Sequence, residues 1–176
     1  MSQETGVWDV SPNKIYAIGD IHGDYLVLQH VLEDLAKVAE LNEEADGFKW
    51  IGKDNWVVFC GDLIDRYRKR PGIHYTVDDE NNDKKIILEL INLKNQAKKE
   101  GGNVILLLGN HELLNFEGSF NYVSENGKYP NRKKDFKRGS EFTNQIANNF
   151  FLSAKIGNVV YVHGGFCPEA FENNPF

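Results

Sequence analysis

Four short runs in this chain each carry a hard metal ligand or an acid: Gly19-Asp20-Ile21-His22-Gly23, Gly61-Asp62-Leu63-Ile64-Asp65-Arg66, Gly109-Asn110-His111-Glu112 and Val162-His163-Gly164-Gly165. Asp20 and His22 are close enough in sequence for an extended turn to point both at one ion, while Gly19 and Gly23 permit a tight backbone. Asp62 has a second carboxylate oxygen and can bridge that ion to another, for which Asn110 offers an amide oxygen and His163 an imidazole nitrogen. Oxygen and nitrogen ligands without a thiolate suit manganese, iron or zinc. Two such ions roughly 3.5–4 Å apart can hold a hydroxide between them and clamp a tetrahedral phosphorus during in-line displacement. The chemistry implied is phosphoester hydrolysis. Such a site also needs a cation on the phosphate and an acid for the leaving oxygen. Arg66 can give phosphate a forked pair of donors. His111 is carried to the site by its neighbour Asn110 and is the candidate general acid, with Asp65 as the acceptor for its other ring nitrogen.

Each run alone has an ordinary reading. A Gly-Asp pair after a strand is most often a turn, a lone histidine is most often a satisfied surface or core residue, and Asn-His-Glu can simply start a helix. The chemical reading rests on all four occurring in order, three of them at predicted strand ends. His30 and His74 lack such company and read as solvent-facing.

The elements that must position these runs follow from apolar periodicity. Lys14 to Ile18 reads as a strand running into Gly19-Asp20. Asp24 can cap a helix in which Leu28, Val31, Leu32, Leu35 and Val38 share one face, predicting a helix to about Glu40. Asn42 to Asp54 reads as a connection with a short hairpin, Trp56 to Cys60 as a buried strand, and Tyr67 to Asp83 as an exposed loop. Lys84 to Glu100 is an amphipathic helix ended by Gly101-Gly102, and Asn103 to Leu108 is a strand buried on both faces. Strands alternating with helices imply parallel pairing, which places the first three runs at the carboxyl edge of one sheet. Glu141 to Phe150 reads as helix, and Phe151 to Ile156 with Val159 to Val162 as a hairpin about Gly157-Asn158.

Composition sets the outer bounds. A chain of 176 residues, 41% hydrophobic, reads as one domain spanning 1–176. A formal charge of −6 argues against nucleic-acid or anionic-membrane partners, and no apolar run approaches the length of a membrane helix. The lysine-rich stretch Lys128 to Arg138 reads as a solvated loop. Cys60 and Cys167 lack metal or disulfide spacing, which fits a reducing cytoplasm.

With these residues in place, the chain resembles the calcineurin-like metallophosphoesterases, in the phosphoprotein phosphatase branch, and is most similar to the Shewanella-like protein phosphatases. The resemblance runs from Lys14 to Pro168. It rests on the four runs, on Trp50 to Cys60, on Asn110 to Asn115 continuing through Gly118 and Tyr122-Val123, and on Val162 to Phe166. It implies an α/β fold, a β-sandwich flanked by helices, and a dinuclear centre, for which manganese is favoured. Asp20, His22 and bridging Asp62 would hold one metal, and Asp62, Asn110 and His163 the other, with His111 paired to Asp65 as acid and Arg66 on the phosphate. The implied substrates are phosphoserine, phosphothreonine or phosphotyrosine proteins or small phosphoesters, with dinucleoside polyphosphates cleaved elsewhere in the superfamily. The chain departs from the pattern in two places. Tyr67 follows Arg66 where the family has glycine, and the family's later strands and a further histidine ligand do not follow His163. The second sheet is therefore expected to be incomplete and the domain C-terminally truncated relative to the family. The rival reading is an impaired metal- or phosphoprotein-binding remnant that lacks one ligand of the second site, whereas in an active enzyme that ligand would come from water, Glu169 or another chain.

Overall fold

A computed structural model describes residues 6–42, 47–67, 81–125 and 127–166. The short strand β1 (Val7–Trp8) precedes β2 (Ile15–Ile18), after which Asp24 caps α1 (Tyr25–His30), its Oδ1 accepting the Val27 amide at 3.0 Å. The helix does not continue to Glu40. It passes into one π-helical turn over Val31–Leu35, where the Ala36 amide donates to the Val31 carbonyl at 2.9 Å, and Lys37 then takes a left-handed φ of 54°. The reason is tertiary. Breaking the helix leaves Leu35 65% exposed, buries Val38 completely, and frees β3 (Ala39–Asn42) to pair antiparallel with β4 (Gly47–Trp50). That pair is the hairpin expected in this stretch.

β5 (Trp56–Phe59) is buried at every position. Residues 68–80, which include His74, lie outside the described residues. The expected exposed loop nevertheless fails at its end, because Asp83 is buried and opens α2 (Asp83–Lys99). Lys98 and Lys99 complement the carboxyl end of this helix, and Gly101 turns the chain at φ 83° into β6 (Asn103–Leu107), again wholly buried. α3 (Asn110–Phe116) starts on the third run. The basic stretch is not a solvated loop throughout: it contains α4 (Arg132–Asp135), and Arg132 is buried. α5 (Glu141–Asn149) is capped by Ser140. The expected strand after it splits in two, β7 (Phe150–Phe151) and β8 (Ser153–Ile156), because the chain changes sheets at exposed Leu152. β9 (Val159–Val162) pairs antiparallel with β8.

Two sheets result, besides the β3–β4 hairpin. One is parallel, in the order β2-β5-β6-β7; the other has the order β1-β8-β9. Alternation along β5 and β6 divides the core. Val57, Phe59, Val104 and Leu106 face the helices, where they join Leu28, Leu32, Leu90 and Leu93. Trp56, Val58, Ile105 and Leu107 face the second sheet and pack with Ala154 and Ile156. Trp8 sits edge-on to both Trp56 and Phe151 between the sheets. Among the described residues the second sheet has three strands, and its outer strand β9 exposes Val159 and Val160. No helix among these residues is long and apolar enough to cross a membrane.

The broken helix makes neighbouring leucines inequivalent. Leu32→Ala should lower the unfolding free energy by about 2–5 kcal/mol, and Leu35→Ala should change it by less than about 0.5 kcal/mol, both read from urea titrations. Equal losses would mean that the helix continues as its periodicity predicts.

Candidate metal centre

The first three runs leave the carboxyl ends of β2, β5 and β6, and His163 leaves β9 of the other sheet. Backbone bonds stitch the loops together. The Asp62 carbonyl accepts the amides of Ile21 at 3.0 Å and His22 at 2.9 Å, and the Leu63 carbonyl accepts that of Gly23 at 2.8 Å. The loops after β5 and β6 meet at two glycines. A Cβ on Gly61, whose φ is 97°, would lie 2.5 Å from the Gly109 nitrogen, and one on Gly109 would lie 2.2 Å from Asp62 Oδ1. Only glycine fits either contact.

Of the five non-glycine residues with left-handed φ among the described residues, three are His22, Asp62 and Asp65. Such conformations cost on the order of 1–3 kcal/mol each and persist where the surroundings over-determine them. Here the strain aims side chains. Asp62 Oδ1 accepts the His111 amide at 2.9 Å, which turns Oδ2 outward. Three imidazole Nε2 atoms face that oxygen, His163 at 3.5 Å and His22 and His111 each at 3.9 Å.

The other nitrogen of each ring is engaged. His22 Nδ1 donates to the Ile64 carbonyl at 3.1 Å and His163 Nδ1 to the Cys60 carbonyl at 2.9 Å, because a carbonyl oxygen only accepts. His111 Nδ1 meets Asp65 Oδ2 at 3.0 Å. Each contact places a proton on Nδ1, so a neutral ring carries its lone pair on Nε2, as a metal-ligating histidine does, and a charged ring carries a second proton there. His163 Nε2 faces Asn110 Oδ1 at 3.0 Å. That separation is also the spacing of two adjacent ligands of one cation bound at about 2.0–2.2 Å. The donor set therefore fits divalent metal.

The ligand atoms fall into two groups that share Asp62. One is His22, Asp62 and His111; the other is Asp20, Asp62 and His163. Asp20 also lies 3.5 Å from His22 Nε2, so it reaches both groups. Asp20 and Asn110 are exposed, and the centre opens to solvent on their side. Burial, and then the charge of Asp20, push the Cys60 thiol up from its usual value, and Cys60 is in neither ligand group. Arg66 is drawn to one flank, its Nη1 2.6 Å from Asp24 Oδ2. His30 pairs with Asp34 in solvent, as an ordinary surface histidine does. Cys167 and Glu169 lie outside the described residues.

Sequence reasoning passed over two residues. Glu112, wholly buried, accepts the amides of Gly109 at 2.7 Å, Leu63 at 2.9 Å and Asp62 at 3.0 Å. The signal was present, since a glutamate at the third position of a helix is placed to bind the amide of the residue before it. Arg132 joins Asp65 to Asp83 through bonds of 2.8 and 2.7 Å, and no feature of the lysine-rich stretch singles it out.

Glu112→Ala strands three buried amides, so it should cost at least about 3 kcal/mol of stability, while exposed Glu117→Ala should stay within about 0.5 kcal/mol. Urea unfolding of both variants checks this.

Comparison with known proteins agrees with the geometry. The chain is 34% identical over 116 residues to Shewanella-like protein phosphatase 2 of Arabidopsis thaliana, covering 66% of this chain and 25% of that one. It is 32% identical over 160 residues to Shewanella-like protein phosphatase 1 of Plasmodium berghei, covering 86% and 39%. The chain thus spans well under half the length of these relatives. A cold-active protein tyrosine phosphatase shares the fold at a TM-score of 0.70 and 24% identity, over 93% of this chain and 46% of that one. The corresponding enzyme of a psychrophile Shewanella species superposes with a TM-score of 0.66 at 23% identity, over 93% and 47%. Residues 13–175 match the calcineurin-like phosphoesterase family, and the chain belongs to it.

Proposed function

We propose that the chain hydrolyses phosphate monoesters with divalent metal, and that its substrates are phosphorylated proteins. The observation that carries this is the convergence of three Nε2 atoms on the outward oxygen of Asp62, with Asn110 Oδ1 beside that of His163. The names of the relatives, protein phosphatases and a protein tyrosine phosphatase, support the substrate class.

In this reading Asp20, His22 and Asp62 hold one ion, and Asp62, Asn110 and His163 a second, manganese being favoured. Bound ions would neutralise phosphoryl oxygens and acidify the attacking water. The remaining work belongs to the chain. His111 hydrogen-bonds Asp65 through its Nδ1 proton, so in the protonated ring Nε2 is the atom that can give a proton to the leaving oxygen. Asp24 holds Arg66 at the edge of the site, where its guanidinium fork can take phosphate oxygens.

Release of phosphate from para-nitrophenyl phosphate with added manganese tests the activity. Asp62→Asn should lower the rate at least about a hundredfold, the scale of losing a principal electrostatic group. Inactivity of folded, metal-loaded protein, unchanged by the substitution, would overturn the reading.

The remnant reading has one observation in its favour: among the described residues, the second ion so assigned has Asp62 as its charged ligand beside neutral Asn110 and His163. Metal counting separates the alternatives. Two ions per chain with hydrolysis is the expected result; one tightly held ion with negligible turnover favours the remnant. Turnover of a dinucleoside polyphosphate, with none of phosphopeptides, would move the substrate to that class.

A further inference from the structure

Arg132 is only 3% exposed, and each of its three guanidinium nitrogens donates a hydrogen bond. Nη2 donates to Asp65 Oδ1 at 2.8 Å, Nη1 to Asp83 Oδ2 at 2.7 Å and to the Gly127 carbonyl at 3.2 Å, and Nε to Asn115 Oδ1 at 3.0 Å. The plane lies over the Phe136 ring at 4.9 Å. Asn115 closes the circuit, its Nδ2 donating to Asp65 Oδ2 at 2.8 Å and to the His111 carbonyl at 2.9 Å. Asp65 is thus gripped on one oxygen by Arg132 and on the other by Asn115 and His111.

A buried ionic cluster is a poor way to gain stability, because desolvation offsets most of the attraction and apolar replacements often match it. What the fork supplies is direction. It spans Asp65 and Asp83 at fixed angles that a lysine point charge cannot reproduce. Burial pushes the Asp83 carboxyl up from its usual value, with Arg132 opposing the shift, so Asp83 depends on the guanidinium as Asp65 does.

We infer that Arg132 is a positioning residue for the reaction: it fixes the Asp65 carboxylate and, through it, the orientation of the His111 ring. This rests on the role proposed above for His111. The prediction is specific to the proton-donation step, so it separates substrates by leaving group.

The test compares phenyl phosphate, whose leaving oxygen needs a proton, with dinitrophenyl phosphate, whose leaving group does not. For Arg132→Met, kcat on phenyl phosphate should fall about a hundredfold, the lower end of what general acid catalysis contributes, and on dinitrophenyl phosphate by less than about tenfold. Adding Arg132→Met to Asp65→Asn should cause no further change in the ratio. Equal losses on both esters in an active enzyme would overturn the assignment and leave the proposed function standing. If Arg132→Met does not fold, Arg132→Lys gives the same comparison.

A second readout does not depend on turnover. In isotope-labelled protein, the His111 Nδ1 proton should be protected from exchange in the wild type and lost to solvent exchange in either variant. Retention of that signal in a folded variant overturns the assignment. If the wild type hydrolyses neither ester, the proposed function fails, and the exchange result still decides whether Arg132 holds the ring.

Discussion

Glu112 is a carboxylate taken wholly out of water, and three backbone N–H groups from two separate loops stand where that water would be. Burial pushes it up to about 7, with the charge of Asp62 adding to the rise while the amides pull against it. The arrangement joins the loop after β5 to the first turn of α3. Once that junction is made, the His111 amide can only point at Asp62 Oδ1, and Asp62 can only present Oδ2 to the open side. The imidazoles then take their places around an oxygen whose position is already settled.

The order of dependence explains where the strain lies. Left-handed backbone at Asp62 and Asp65 is unfavourable in isolation, yet each carboxylate is bonded to partners from elsewhere in the chain. The glycines at 61 and 109 let the two loops approach within backbone contact. The histidines are fixed by carbonyls or a carboxylate on their Nδ1 side, so side-chain entropy is removed before any ligand arrives.

The parts of this design that were legible in the sequence are those written in local pattern. β5 and β6 are continuous apolar runs bounded by turn residues, and the ligand runs follow them at once, so both the parallel sheet and the meeting of Asp20, Asp62 and Asn110 could be anticipated. His163 could be anticipated only through its company, since it arrives from the other sheet. What escaped was set by tertiary contact. The helix after Asp24 keeps its apolar spacing to Val38 but yields to hairpin pairing at Ala39. Arg132 sits among lysines that are exposed, and its burial depends on two acids, 67 and 49 residues earlier, neither visible as a partner from spacing. Glu112 has a local signal, its third position in α3, but that points to the Gly109 amide alone, and the amides of Asp62 and Leu63 reach it from another loop.

His163 hangs from the Cys60 carbonyl at the end of β5, while its own backbone continues β9 of the opposite sheet. The imidazole is therefore a strut across the gap of a sandwich whose sheets lie about 10 Å apart. The thickness of that gap is maintained by Trp8, Trp56 and Phe151, packed edge to face between the layers. These aromatic rings belong to neither ligand group, yet they act as the gauge block of the centre: a thinner or thicker filling would slide one wall relative to the other, and the distance from His163 to Asp62 would change with it.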